Sequence, residues 1–115
     1  MKITALIQSV ALATLVMLPA WAQAAPAGPC TVTEVAVFKN RVHVKCPIGK
    51  GIDVPYFALP TASASETTRF ITLATTAMAM GRTLFIEYDF FDVSAESYGC
   101  SLIDCRRPLS FWLMK

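Results

Sequence analysis

The sequence predicts a mainly β domain with one helix, ordered β-β-β-α-β-β, a small barrel-like fold held by two disulfides. Three observations predict it. The chain has 4 cysteines, all behind a secretory leader. Several stretches alternate apolar and polar residues between turn residues. One segment alone has helical apolar spacing with signals at both ends.

The leader comes first in the chain. Lys2 supplies a positive n-region, and Ile3 to Leu18 is apolar except for Thr4, Gln8, Ser9 and Thr14. Pro19 breaks this stretch, and Ala22-Gln23-Ala24 offers an A-x-A cleavage site, with Ala20-Trp21-Ala22 a second one. The apolar run falls short of the roughly 20 residues that a membrane span requires. Residues 1–24 therefore read as a signal peptide and 25–115 as a single mature domain, exported to the periplasm or secreted by a bacterium. No later stretch is long and apolar enough to span a membrane.

The whole chain has 10 Lys and Arg against 8 Asp and Glu, and removing Lys2 with the leader brings it closer to neutral. Nucleic-acid binding would require a strongly basic face, so that class of partner is not expected. A mature domain this small has a thin core and gains from cross-links.

Thr31 to Phe38 has strand composition, and Lys39-Asn40 is a turn candidate because Asn tolerates positive φ. Arg41 to Cys46 then alternates strictly, which completes a hairpin. Ile52 to Leu59 reads as a third strand, confined by Pro55 to a sheet edge or a bulge. Ser63 with Glu66 three residues on is a capping-box signature. Gly81 occupies a C′ position, and Phe70, Leu73, Ala74 and Ala77 form one apolar stripe between these ends. The opposite face, Thr68, Thr72, Thr75, Thr76 and Ala79, carries no charge and is a candidate for packing against another copy of the chain. Arg82 to Phe91 is the next strand, with Leu84, Ile86, Tyr88 and Phe90 on one face. Asp92 to Gly99 is a loop, and Leu109 to Met114 is the last strand.

Cysteines in an exported chain of this size read as a disulfide framework. Three connectivities are open. The pairs Cys30–Cys46 and Cys100–Cys105 are favoured because each closes within one supersecondary unit. In the chain-entropy view these are worth roughly 3 and roughly 2 kcal/mol. Three strands, a helix and two strands is the order of the OB-fold, a five-stranded Greek-key barrel, although other small α+β folds share it.

With that order, the cysteine spacing carries a family resemblance. A first pair spans the first hairpin. A helix runs into Met80-Gly81-Arg82-Thr83-Leu84-Phe85-Ile86-Glu87-Tyr88, and the close pair Cys100-Ser101-Leu102-Ile103-Asp104-Cys105 follows. Over Cys30 to Pro108 this pattern resembles the B subunits of bacterial A–B toxins of the subtilase-cytotoxin, typhoid-toxin and pertussis-toxin type. The resemblance implies an OB-fold subunit, frequently in a pentameric ring with helices around a pore, that recognises cell-surface glycans without catalysis. In those subunits the glycan pocket draws on a segment before the first cysteine. Here only Ala25 to Pro29 precede Cys30 in the mature chain, so no glycan-contacting residue carries over.

The remaining chemistry is sparse. His43 is the only histidine and reads as an exposed strand residue, with no Ser, Cys or carboxylate placed by sequence to complete a triad. Asp89, Asp92 and Glu96 could offer oxygen ligands, but a calcium loop's glycine and spacing are missing. The cysteines lack CxxC spacing. No enzyme activity, cofactor or metal is expected. Tyr98, Arg106, Arg107 and Trp112 gather around the second cysteine pair and form the candidate binding surface, since aromatics with planar guanidinium groups suit sugar stacking or a protein interface. The expected function is a non-enzymatic exported binding module. Its partner is a cell-surface glycan or, alternatively, a protein met in the periplasm by an inhibitor or accessory factor.

Overall fold

A computed structural model describes residues 27–115. The predicted leader at 1–24 lies outside them. Seven strands and one α-helix form two sheets: β1 (Ala27–Cys30), β2 (Glu34–Val37), β3 (Arg41–Lys45), β4 (Tyr56–Pro60), α1 (Ala64–Met80), β5 (Leu84–Tyr88), β6 (Cys105–Arg106) and β7 (Pro108–Leu113). One sheet has the order β1-β5-β7 and the other β2-β3-β4-β6.

The sheets share two lengths of chain. β1 continues through Thr31–Thr33 into β2, and β6 continues through Arg107 into β7. Taken as bent single strands, these two give the five strands of an OB-fold. The first pairs antiparallel with both the second and the fourth, and the fifth pairs antiparallel with the fourth. The third and fifth meet in parallel where Tyr56 and Phe57 oppose Cys105 and Arg106. Hydrogen bonding does not run unbroken around the circuit, so the fold is a small, barrel-like sandwich and not a closed barrel.

α1 packs on β4, β2 and β7. Its buried residues Phe70, Ala74 and Ala77 lie on the predicted stripe, with Leu73 half-buried beside them. Phe70 meets Phe111 with ring centroids 4.8 Å apart, and Phe57 meets Tyr88 edge-on at 5.0 Å. Gly81 ends the helix at φ 62°, as its position implied. On the uncharged face, the hydroxyls of Thr72, Thr75 and Thr76 donate to the carbonyls of Thr68, Ile71 and Thr72.

Several boundaries differ from expectation. The first strand is interrupted, and Ala27–Cys30 forms a strand that its Gly-Pro composition conceals. Gly28 has no room for a side chain, since a Cβ there would sit 2.7 Å from the Lys50 carbonyl. The third strand starts at Tyr56 and not Ile52, because Pro55 cannot donate to a ladder. Ile52 and Val54 instead reach the core from the preceding loop. The Ser63 side chain makes no capping bond. Its expected partner Glu66 is drawn away to Arg107, 3.3 Å distant, and Thr67 donates its hydroxyl to the Pro60 carbonyl. The strand predicted to reach Phe91 ends at Tyr88 after a register shift, and an Asp89 carboxylate that accepts the Phe91 N–H turns the chain. Phe90 is consequently exposed, not part of the inner face.

Both predicted disulfides are present, Cys30–Cys46 and Cys100–Cys105. They fit an oxidising, exported environment. Among the described residues no helix is long and apolar enough to cross a membrane.

Tyr88 fixes the loop before β4 to the core. Its hydroxyl accepts the Asp53 N–H at 2.9 Å and lies 3.2 Å from both the Gly51 carbonyl and an Asp53 carboxylate oxygen. Burial, the largest influence, raises its pKa above the ordinary 10.0; the Asp53 N–H opposes this and the Asp53 carboxylate adds to it. A pKa raised by folding gives stability that is complete below the ordinary value and is lost as pH rises through the folded one. Tyr88→Phe is expected to cost about 0.5–1.5 kcal/mol at neutral pH, because the part-buried hydrogen bonds of its hydroxyl with Asp53 and Gly51 are lost. Urea unfolding checks this, and a repeat series above pH 10 should show a shallower alkaline loss than the wild type.

Candidate functional site

The excursion between β5 and β6 folds back over the outer face of β4. Ala58, on that face, is fully buried under it. Ala95, Cys100 and Cys105 make a second small core with Ala58, flanked by Tyr56 and Tyr98. Tyr98 donates its hydroxyl to the Ala58 carbonyl at 2.8 Å, and the Cys100–Cys105 bond closes the far side. Burial raises the Tyr98 pKa, with Arg107 nearby pulling it down.

The excursion covers β4 but stops short of β3, and a cleft of about 160 Å³ remains between them. Arg41 and His43 from β3 and Tyr56 from β4 form one wall. Gly99, Ser101 and Asp104 of the disulfide loop form the other. The strict alternation of β3 drives Val42 and Val44 into the core and turns Arg41, His43 and Lys45 outward.

These outward side chains are ordered as a stripe. His43 lies between Phe38 and Tyr56, with both ring pairs 4.9 Å apart. Arg41 sits 4.4 Å over the Phe38 ring, and Lys45 lies 5.6 Å from the Tyr56 centroid. His43 is not the exposed residue that its lone position implied. Its side chain is 14% accessible, and Nε2 lies 2.6 Å from Glu34 Oε1 across the hairpin. Among the described residues Arg41 pairs with no carboxylate, which leaves a cation at the cleft wall.

In an OB-fold, ligands meet the face of the second and third barrel strands and the loops after the first and fourth. Here those are β3, β4, the Phe38–Asn40 turn and the disulfide excursion, so the cleft occupies that face. The volume is well below the roughly 300–1,000 Å³ of drug-sized sites and suits a single polar ring. A larger groove of about 720 Å³ separates α1 from β7. Its polar side chains are occupied locally: Thr72 donates to Thr68, and Arg69 donates to Ser65. Its one aromatic side chain is Phe111, whereas the smaller cleft adjoins the Phe38–His43–Tyr56 stripe.

The residues expected to bind are dispersed. Tyr98 packs inward on the small core. Arg106 is 6% accessible and donates to the carbonyls of Phe90, Leu102 and Cys105, so it holds loops together. Arg107 pairs with Glu66. Trp112 lies on the other sheet, stacked on Phe85 at 4.8 Å. Asp92 accepts the Ser94 N–H at 2.9 Å, and hydrogen bonding to Ser94 lowers its pKa below the ordinary carboxylate value. Sequence does not single out Arg41, His43 and Tyr56, because only tertiary folding sets them against Ser101 and Asp104. The legible signal was Phe38, Arg41 and His43 at hairpin spacing.

No protein-family model, curated protein or solved structure matches the chain.

Gly99 lets the loop approach Arg41. It has φ 96°, and a Cβ there would sit 2.7 Å from Arg41 Nη1. Gly99→Ala is expected to lose about 1–2 kcal/mol from the left-handed backbone alone. Urea unfolding reads the loss, and unchanged stability would contradict this packing.

Proposed function

We propose that the protein is a non-enzymatic, exported binding module that receives one sugar ring of a glycan in the cleft between β3 and the disulfide loop. The observation that carries this reading is the convergence of Tyr56, half-buried His43 and unpaired Arg41 opposite Ser101 and Asp104. Sugar rings present apolar C–H faces and hydroxyl edges, which aromatic rings and polar side chains meet separately. Arg41 suits a carboxylated sugar, because its planar fork matches a carboxylate's two oxygens. The cleft's place on the ligand-binding face of OB-folds supports the same reading, as does the sequence resemblance to carbohydrate-binding toxin B subunits.

Self-association is part of this proposal. The hydroxyls of Thr72, Thr75 and Thr76 on α1 are satisfied within the helix, so these positions can be covered by another copy without stranding polar groups. The second reading is a periplasmic protein that acts by protein contact, and the exposed apolar loops described below favour it.

A glycan array probed with residues 25–115 separates the two readings. The expected result is binding to a related set of glycans that falls at least about tenfold in Tyr56→Ala and in Arg41→Ala, as for central contact residues. A blank array with one co-purifying protein would favour the second reading. Light scattering on the same sample should give more than one chain per particle, and a monomer would remove the self-association element.

A further inference from the structure

A second surface lies at the tips of two loops, apart from the β3 wall of the cleft. The turn after β5 presents Phe90 and Phe91, and the disulfide loop presents Leu102 and Ile103. Phe91 is 86% and Ile103 90% accessible, values unusual for large apolar side chains on ordered loops. One buried guanidinium joins these loops: Arg106 Nε donates to the Phe90 carbonyl at 2.6 Å and Nη1 to the Leu102 carbonyl at 2.7 Å. Arg106 also lies 4.7 Å from the Phe90 ring centroid, and that ring meets Phe91 edge-on at 5.6 Å. The Cys100–Cys105 bond closes one loop and the Asp89 carboxylate braces the other. The two loops are therefore held together in advance, each with its apolar side chains exposed, which lowers the entropy cost of binding.

Asp89 and Asp92 flank Phe90 and Phe91, whereas Asp104, after Ile103, lines the cleft. Of the nearby cations, Arg106 is buried under the loops and Arg107 pairs with Glu66, and both also act on the Asp92 carboxylate. We propose that this surface docks a partner protein through an apolar pocket with a basic rim. The acidic border complements such a rim and repels an anionic lipid surface. Phe91 and Ile103 are the anchors, and the aspartates steer the encounter.

A displayed random-peptide library panned on the purified domain tests this. Enriched peptides should join aromatic or aliphatic residues to Lys or Arg, and should bind Phe91→Ser/Ile103→Ser at least about tenfold more weakly. Both positions are exposed, so the variant should melt with the wild type. Asp89→Asn/Asp92→Asn keeps an oxygen acceptor for each turn, and should weaken binding while flattening its salt dependence. Peptides without basic residues, equal binding to the serine variant, or no enrichment would overturn the proposal. So would Phe91-dependent flotation with phosphatidylcholine–phosphatidylglycerol vesicles.

Discussion

The Cys30–Cys46 bond is the constraint on which the rest of the fold depends. Cys30 ends β1 in one sheet, and Cys46 follows β3 in the other, with both buried. At this point the first strand bends from one sheet to the other, tied to the end of β3 by the Thr33 N–H, which donates to the Lys45 carbonyl at 3.0 Å. The covalent link reinforces that short stretch of pairing. Its estimated contribution of roughly 3 kcal/mol is a large share of the roughly 5–15 kcal/mol typical of a domain. With the bend fixed, β3 presents Val42 and Val44 inward and Arg41, His43 and Lys45 outward.

The second disulfide acts on a smaller scale and closer to function. It closes the loop that covers Ala58, and that covering turns an open sheet face into a cleft. The loop has two sides. Ser101 and Asp104 face Arg41 and His43 across the cleft, while Leu102 and Ile103 project into solvent. Arg106 anchors the projecting side from below, so one short cross-linked segment shapes both proposed binding surfaces.

Much of the fold was legible in local pattern. The alternation of Arg41 to Cys46, the stripe from Phe70 to Ala77 and the C′ glycine at 81 each reflect one short-range rule, and each holds. The cysteine pairs held because each closes a local unit. What pattern did not reveal is decided by tertiary contact. β1 has no alternation and forms because β5 offers it a ladder. The capping box does not close: Ser63 makes no side-chain cap bond, its N–H donates to the Pro60 carbonyl, and Glu66 pairs with Arg107 far along the chain. Arg106 reads as a surface cation until folding surrounds it with carbonyls. The candidate cleft stayed hidden for the same reason, since Arg41 and Asp104 meet only after the excursion folds back.

Amide chemical-shift mapping with a panel of neutral and carboxylated monosaccharides tests most directly the proposal that the cleft between β3 and the disulfide loop takes a sugar. Saturable shifts confined to Phe38–Lys45, Tyr56 and Gly99–Cys105, larger for carboxylated sugars, are expected. Shifts centred on the groove between α1 and β7, on the Phe85–Trp112 stack, or on no residue at all would contradict it.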